Sequence, residues 1–175
     1  MTTKKAPRDV PSRDDFYMGM AFWAASKSKD PATQVGAVII SEDNVPLGWG
    51  YNGPPQGILD NSINWARPEK YDFICHAEEN AMDHSVSNLE NSVMYVTAEP
   101  CSRCMLRIVK FSFKKVVYYP MSNKVDKGSL LANKEIREKT SEIARLGGVT
   151  LSPFDGNLNW MRDRMKWMEM MGVFD

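Results

Sequence analysis

The sequence predicts an α/β fold, a sandwich of three layers, and three observations carry that prediction. Apolar, β-branched runs alternate along the chain with segments of helical period. No internal repeat, low-complexity stretch or linker interrupts the alternation. The length, 175 residues, suits one domain with a sizeable core. Composition narrows the class: 43% hydrophobic and 25% charged residues are ordinary for a globular protein in water. Lysine plus arginine and aspartate plus glutamate both total 22, so no broad field draws the chain to nucleic acid or membrane. No apolar run approaches the roughly 18 residues of a membrane span.

Each element has its own signal. Residues 1–11 are polar, lack the apolar stretch of a secretory signal and read as a flexible tail; residues 12–175 read as a single domain. Ser12-Arg13-Asp14-Asp15 resembles a capping box with Asp15 in place of the usual Glu. Behind it Phe16, Met20 and Trp23 recur at i, i+4 and i+7, which predicts an amphipathic helix to about Lys27, ended by Asp30-Pro31. The run from Val35 to Ile40 reads as a buried strand, Glu42 to Asn44 as a turn, and Leu47 to Tyr51 as the returning strand of a hairpin. Asn52 to Tyr71 is rich in Gly, Pro and Asn without a sustained period, a long loop of the kind that commonly carries function. A helix from His76 to His84, a strand from Val93 to Thr97, a helix from Cys101 to Phe111 and a strand from Val116 to Tyr119 follow. Leu131 to Leu146 reads as a helix stopped by Gly147-Gly148, and Val149 to Ser152 as the fifth strand. A last helix, 157–171, gathers Trp160, Met161, Met165, Trp167, Met168 and Met171 on one face. Core packing is the preferred reading of that stripe, and a subunit interface the alternative.

The chemistry sits in a split motif, His76-Ala77-Glu78 and Pro100-Cys101-Ser102-Arg103-Cys104. It supplies an imidazole, two thiols and a free carboxylate. Catalytic zinc takes three protein ligands and keeps a fourth position open, and His76, Cys101 and Cys104 are the candidates. Cys101 and Cys104 stand three residues apart at a helix start, where both sulfurs can face one point and the dipole favours thiolate. Glu78 falls roughly 200° around the helix from His76, free to carry protons instead of binding metal. The pattern H-x-E with P-C-x-x-C is that of zinc-dependent base deaminases. Glu78 would protonate a ring nitrogen of a cytosine-like base and later pass a proton to the departing ammonia. A purely structural zinc site would need a fourth ligand. Cys75 should point away from its neighbour His76, and His84 lies about 12 Å along the helix. With two of three cysteines committed to C-x-x-C, a disulfide framework is not expected, and a reducing cytoplasm is the natural setting.

Four further motifs resemble the deoxycytidylate deaminase family: Ser28-Lys29-Asp30-Pro31, Thr33-Gln34-Val35-Gly36-Ala37, Gly50-Tyr51-Asn52-Gly53, and Cys75-His76-Ala77-Glu78 with Asn80-Ala81. The resemblance runs from about Phe16 to Phe154. It implies the cytidine deaminase-like fold, a three-layer α-β-α sandwich around a five-stranded mixed sheet, here with an extra C-terminal helix. It also implies conversion of dCMP to dUMP, feeding thymidylate synthesis, in a hexamer activated by dCTP and inhibited by dTTP with Mg²⁺. By the same resemblance Asn52 would hydrogen-bond the sugar or base, the amide of Ala77 would meet the ring carbonyl, and Lys29 with Ser28 would face the phosphate. Asn52-Gly53 is also a common turn dipeptide, and Lys29 reads equally as a solvated charge. Three features depart from the family: Glu99 before Pro100, a long stretch from Met121 to Arg145, and the helix after Phe154.

Two other functions compete. A deaminase of another cytosine nucleotide such as dCTP, or of a base in tRNA, shares the zinc chemistry; the tRNA reading calls for a basic groove with stacking aromatics that a neutral chain does not advertise. A non-catalytic zinc or nucleotide-binding module would keep the metal without needing Glu78.

Overall fold

Strand β1 (Gly36–Ile40) and strand β2 (Pro46–Tyr51) form an antiparallel hairpin in register from Gly36 opposite Tyr51 to Ile39 opposite Gly48, with an irregularity at Ile40. The structure is a computed structural model, and it describes residues 6–120 and 134–174. Strand β3 (Val93–Val96) pairs antiparallel with β1, and β4 (Lys115–Tyr118) and β5 (Thr150–Pro153) then add in parallel. The sheet is therefore mixed and five-stranded, in the order β2-β1-β3-β4-β5. All five residues of β1 are buried, which explains its unbroken apolar run: a central strand covered on both faces has no polar side to show.

Helix α1 (Arg13–Ala25) covers one face of the sheet, and α2 (Ala77–Asp83), α3 (Ser102–Lys110) and α4 (Lys134–Leu146) cover the other. Alternation along β1 divides the core accordingly. Val38 and Ile40 join Tyr17, Met18, Ala21 and Tyr95 beneath α1, while Ala37 and Ile39 join Ala81, Met94, Met105 and Ile108 beneath the other three helices. Helix α5 (Asn159–Met170) follows β5. The predicted start of α4 at Leu131 lies outside the described residues.

Two sequence expectations are corrected. Ser12 does cap α1, its hydroxyl accepting from the amide of Asp15 at 3.1 Å. The buried face of that helix, however, carries Tyr17, Met18, Ala21, Ala24 and Ala25, while Phe16 and Trp23 are exposed. Where the helix lies directly on β1 the buried residues are alanines: a Cβ at Gly36 would stand 2.1 Å from the carbonyl oxygen of Ala21 and 2.4 Å from the amide nitrogen of Ala25. A side chain as large as Trp23 does not fit so narrow a gap, while Tyr17 and Met18 are buried elsewhere along the helix. Core packing of the α5 stripe also fails, since no residue of α5 is buried and Met165, Trp167 and Met171 are 42%, 43% and 61% exposed. Helix α5 rests on α1 through Trp160, whose ring is 5.9 Å from that of Phe16, so it lies outside the three layers.

Candidate active site

Two helices point their N-termini at one another and carry the metal-binding candidates there. His76 is the N-cap of α2 and Cys101 the N-cap of α3, both with extended backbone, and Cys104 lies in the first turn of α3. His76 Nδ1 is 3.5 Å from Cys101 Sγ and 3.4 Å from Cys104 Sγ. Bonds of 2.0–2.3 Å in a tetrahedral site separate nitrogen from sulfur by ~3.6 Å, so the three atoms are spaced as zinc ligands. They form the metal-competent group of histidine, cysteine or carboxylate side chains among the described residues, and only three ligands meet. The donor set therefore fits a catalytic zinc with one position left over. Cys75 is half-buried outside the group, and His84 caps the far end of α2.

The electrostatics suit that role. The Cys101 thiol is lowered to about 4, chiefly by a hydrogen bond from Cys104 and then by His76. Cys104, fully buried, is raised by the same bond, so the metal-free pair keeps its negative charge on Cys101. The bond to Cys101 raises His76 to about 9 against the effect of burial. Burial lifts the Glu78 carboxyl to about 7 although the charge of His76 opposes it. Glu79 braces the arrangement: its carboxylate accepts from the His76 amide at 3.0 Å and lies 3.2 Å from Arg103 of α3. The amide bond belongs to a capping box within the start of α2, and the ion pair ties that start to α3.

The pocket above Glu78 is walled by Ala77, Ala98, Glu99 and Cys101 on the helix side and by Asp30, Asn52, Arg67, Lys70 and Tyr71 on the loop side. The approach of α2 to β2 depends on Gly50, where a Cβ would fall 2.3 Å from the amide nitrogen of Ala81 and 2.5 Å from the carbonyl of Ala77. The Asn80 amide then donates to the carbonyl of Tyr51 at 2.7 Å. Asp30, in the loop after α1, holds the opposite wall. Its carboxylate takes both the Ala32 and Thr33 amides at 2.9 and 3.1 Å and both contacts of Lys70 Nζ, at 2.8 and 2.6 Å.

Of the residues named from sequence, His76, Cys101, Cys104, Glu78, Ala77 and Asn52 come together at this pocket. Asn52 lines the pocket, and its side chain accepts from the Val35 amide at 2.7 Å and donates to the Thr33 carbonyl at 3.0 Å, holding the loop. Gly53 pairs with Cys75 in a short antiparallel bridge and does not make a hairpin turn. Ser28 and Lys29 are not part of the pocket lining. The Ser28 hydroxyl donates to the Asn52 carbonyl at 2.8 Å, and the exposed Lys29 pairs with Asp60. The pocket is also lined by Arg67, Lys70 and Tyr71, for which the aperiodic loop was the only hint, and by Thr33 and Glu99, which the sequence reading noted without a role at the site.

Fold and site together define a cytidine deaminase-like protein. Residues 11–120 match the cytidine and deoxycytidylate deaminase zinc-binding region, and the chain belongs to that family. It is similar to the deoxycytidylate deaminase of Mus musculus, 35% identical over 147 residues that make up 80% of this chain and 78% of the mouse protein. With the deoxycytidylate deaminase of Homo sapiens it shares 38% identity over 117 residues, 63% of this chain and 65% of that one. In fold it resembles the dCMP deaminase of cyanophage S-TIM5 crystallised with dCMP and dUMP, with a TM-score of 0.62 at 23% identity over 84% of this chain and 100% of the other.

Proposed function

We propose that the chain deaminates dCMP to dUMP, water entering and ammonia leaving. The observation that carries this reading is the buried Glu78 beside three converging ligands at the floor of a pocket. Membership of the family and similarity to named deoxycytidylate deaminases support the choice of base. Zinc held by His76, Cys101 and Cys104 would supply the Lewis acid that makes water nucleophilic near neutral pH.

The chain's own groups do the rest. Glu78, raised to about 7, is poised to hold a proton and to release it near neutrality. Its carboxylate takes a proton from the incoming water and gives it to the ring nitrogen of the cytosine as the water oxygen adds to the adjacent carbon, then carries the remaining hydroxyl proton to the departing amine. Ala77 opens α2, where the first N–H groups have no acceptor within the helix, so its amide is suited to the ring carbonyl. Asn52 and the Asp30–Lys70 pair keep the opposite wall in place and limit water beside the ring.

The finer points rest on resemblance to the family: a hexamer, activation by dCTP, inhibition by dTTP with Mg²⁺, and a cytoplasmic setting. Three free cysteines support a reducing compartment, and no described helix is long and apolar enough to cross a membrane. The decisive experiment incubates the zinc-loaded protein with equimolar dCMP, dCTP, deoxycytidine and cytosine and identifies products by mass. Dominant dUMP is expected; another deaminated product would overturn the substrate and leave the acid–base roles standing.

A further inference from the structure

The carboxylate of Glu79 is buried one residue beyond Glu78, and it neither lines the pocket nor belongs to the ligand set. Its two oxygens serve different helices. Oε2 accepts from the His76 amide of α2 at 3.0 Å, while Oε1 faces α3, 3.2 Å from Arg103 Nε and 3.9 Å from Arg107. Arg107 in turn pairs with Asp83 of α2, so Glu79 shares it. Arg103 stands inside the C-x-x-C turn, between Cys101 and Cys104.

A capping box accepts Gln at this position as well as Glu, so the cap of α2 does not account for the charge. A buried carboxylate destabilises the fold unless it is paired, and the pairing here runs across to α3. Ala81, Met82, Met105 and Ile108 seat the two helices on the sheet beyond the ligands. At the ligand-bearing ends, the Glu79 carboxylate joins the backbone of His76 directly to the turn that carries both thiols. Groups of this kind around a metal site orient the ligands and commonly govern affinity. We propose that Glu79 and Arg103 are positioning residues for the zinc ligands: they fix His76 against Cys101 and Cys104 at coordination spacing and so set the affinity and geometry of the metal site. The inference rests on the reading of the three converging side chains as a zinc site.

The test reads the metal and not turnover. Zinc dissociation constants are measured by competition with a chromophoric chelator on wild type, Glu79→Gln, Arg103→Met, Arg103→Lys and the double variant Glu79→Gln with Arg103→Met. Visible absorption spectra are taken on the same proteins loaded with Co²⁺. Glu79→Gln keeps an acceptor for the His76 amide and loses the attraction to α3. The Arg103 side chain is 82% exposed, so Arg103→Met should leave the fold intact and remains informative if Glu79→Gln fails to fold. Each of these two single variants should bind zinc about 10-fold more weakly, with altered cobalt bands. The double variant should lose no more than either one, because both changes remove the same link. Arg103→Lys, which keeps the charge, should recover part of the loss. Unchanged affinity and an unchanged cobalt spectrum in Arg103→Met, or losses that multiply in the double variant, overturn the inference. No zinc uptake by wild type overturns the metal site itself.

Discussion

Glu78 and His76 belong to the same helix start, so the proposed proton carrier is positioned by the residues that would position the metal. Replacing Glu78 with Gln keeps size and hydrogen bonding but removes the titrating group. Turnover should fall at least ~10²-fold while elemental analysis still finds zinc at one per chain. A variant as active as wild type would remove Glu78 from the mechanism. A second residue-scale expectation concerns the buried pair Asp30–Lys70, each side chain 3% exposed. Lys70→Met strands a carboxylate in the interior and should cost about 3–5 kcal/mol in urea unfolding. The double variant Asp30→Leu with Lys70→Met should recover part of that loss, because the desolvated charge is gone.

At the scale of elements, backbone-to-backbone closeness does most of the positioning. Gly50→Ala pushes a methyl against the backbone of α2, which cannot rotate away as a side chain can. It should cost about 1–3 kcal/mol and lower zinc affinity, because α2 carries His76. Helix α1 is pinned to β3 by the Tyr95 hydroxyl, which donates to Asp14 at 2.5 Å. Burial first, and this bond second, raise the Tyr95 pKa above the ordinary value. A phenol that ionises more easily once unfolded stabilises the fold fully below about pH 10 and loses that contribution as pH climbs toward its folded value. Unfolding free energy should therefore decline above pH 10, and less steeply in Tyr95→Phe. The cap of α1 was legible because a cap is written in adjacent residues, Ser12 with Asp15. The buried face of α1 was not, because Phe16, Met20 and Trp23 satisfy the helical period as well as the alanines do. Only the nearness of Gly36, in another element, decides between them.

Across the whole molecule the ligand set was legible and the opposite wall was not. P-C-x-x-C and H-x-E are local patterns, whereas Lys70 meets Asp30 across 40 positions and nothing near either one announces the other. The α5 stripe misled for a related reason: its period reports a face and leaves open what lies against it. Because zinc would join α2 to α3, chelation should lower the melting temperature. At a hundredfold excess over its dissociation constant the metal adds about 2.7 kcal/mol, or roughly 5–10 °C in a chain of this size, and restoring zinc should return the shift. A melting point indifferent to chelator would disconnect the cluster from the metal.

The pairing of β1 with β3, Ala37 beside Val96, has a kinetic consequence. Cys101 and Cys104 are neighbours in any state of the chain, whereas His76 lies in the long excursion between those two strands. An unfolded chain can offer zinc two thiolates only. The imidazole arrives once that distant pairing has closed the loop, so tight capture of the ion should be a late event in refolding, and its rate should report the slow, non-local step of assembly.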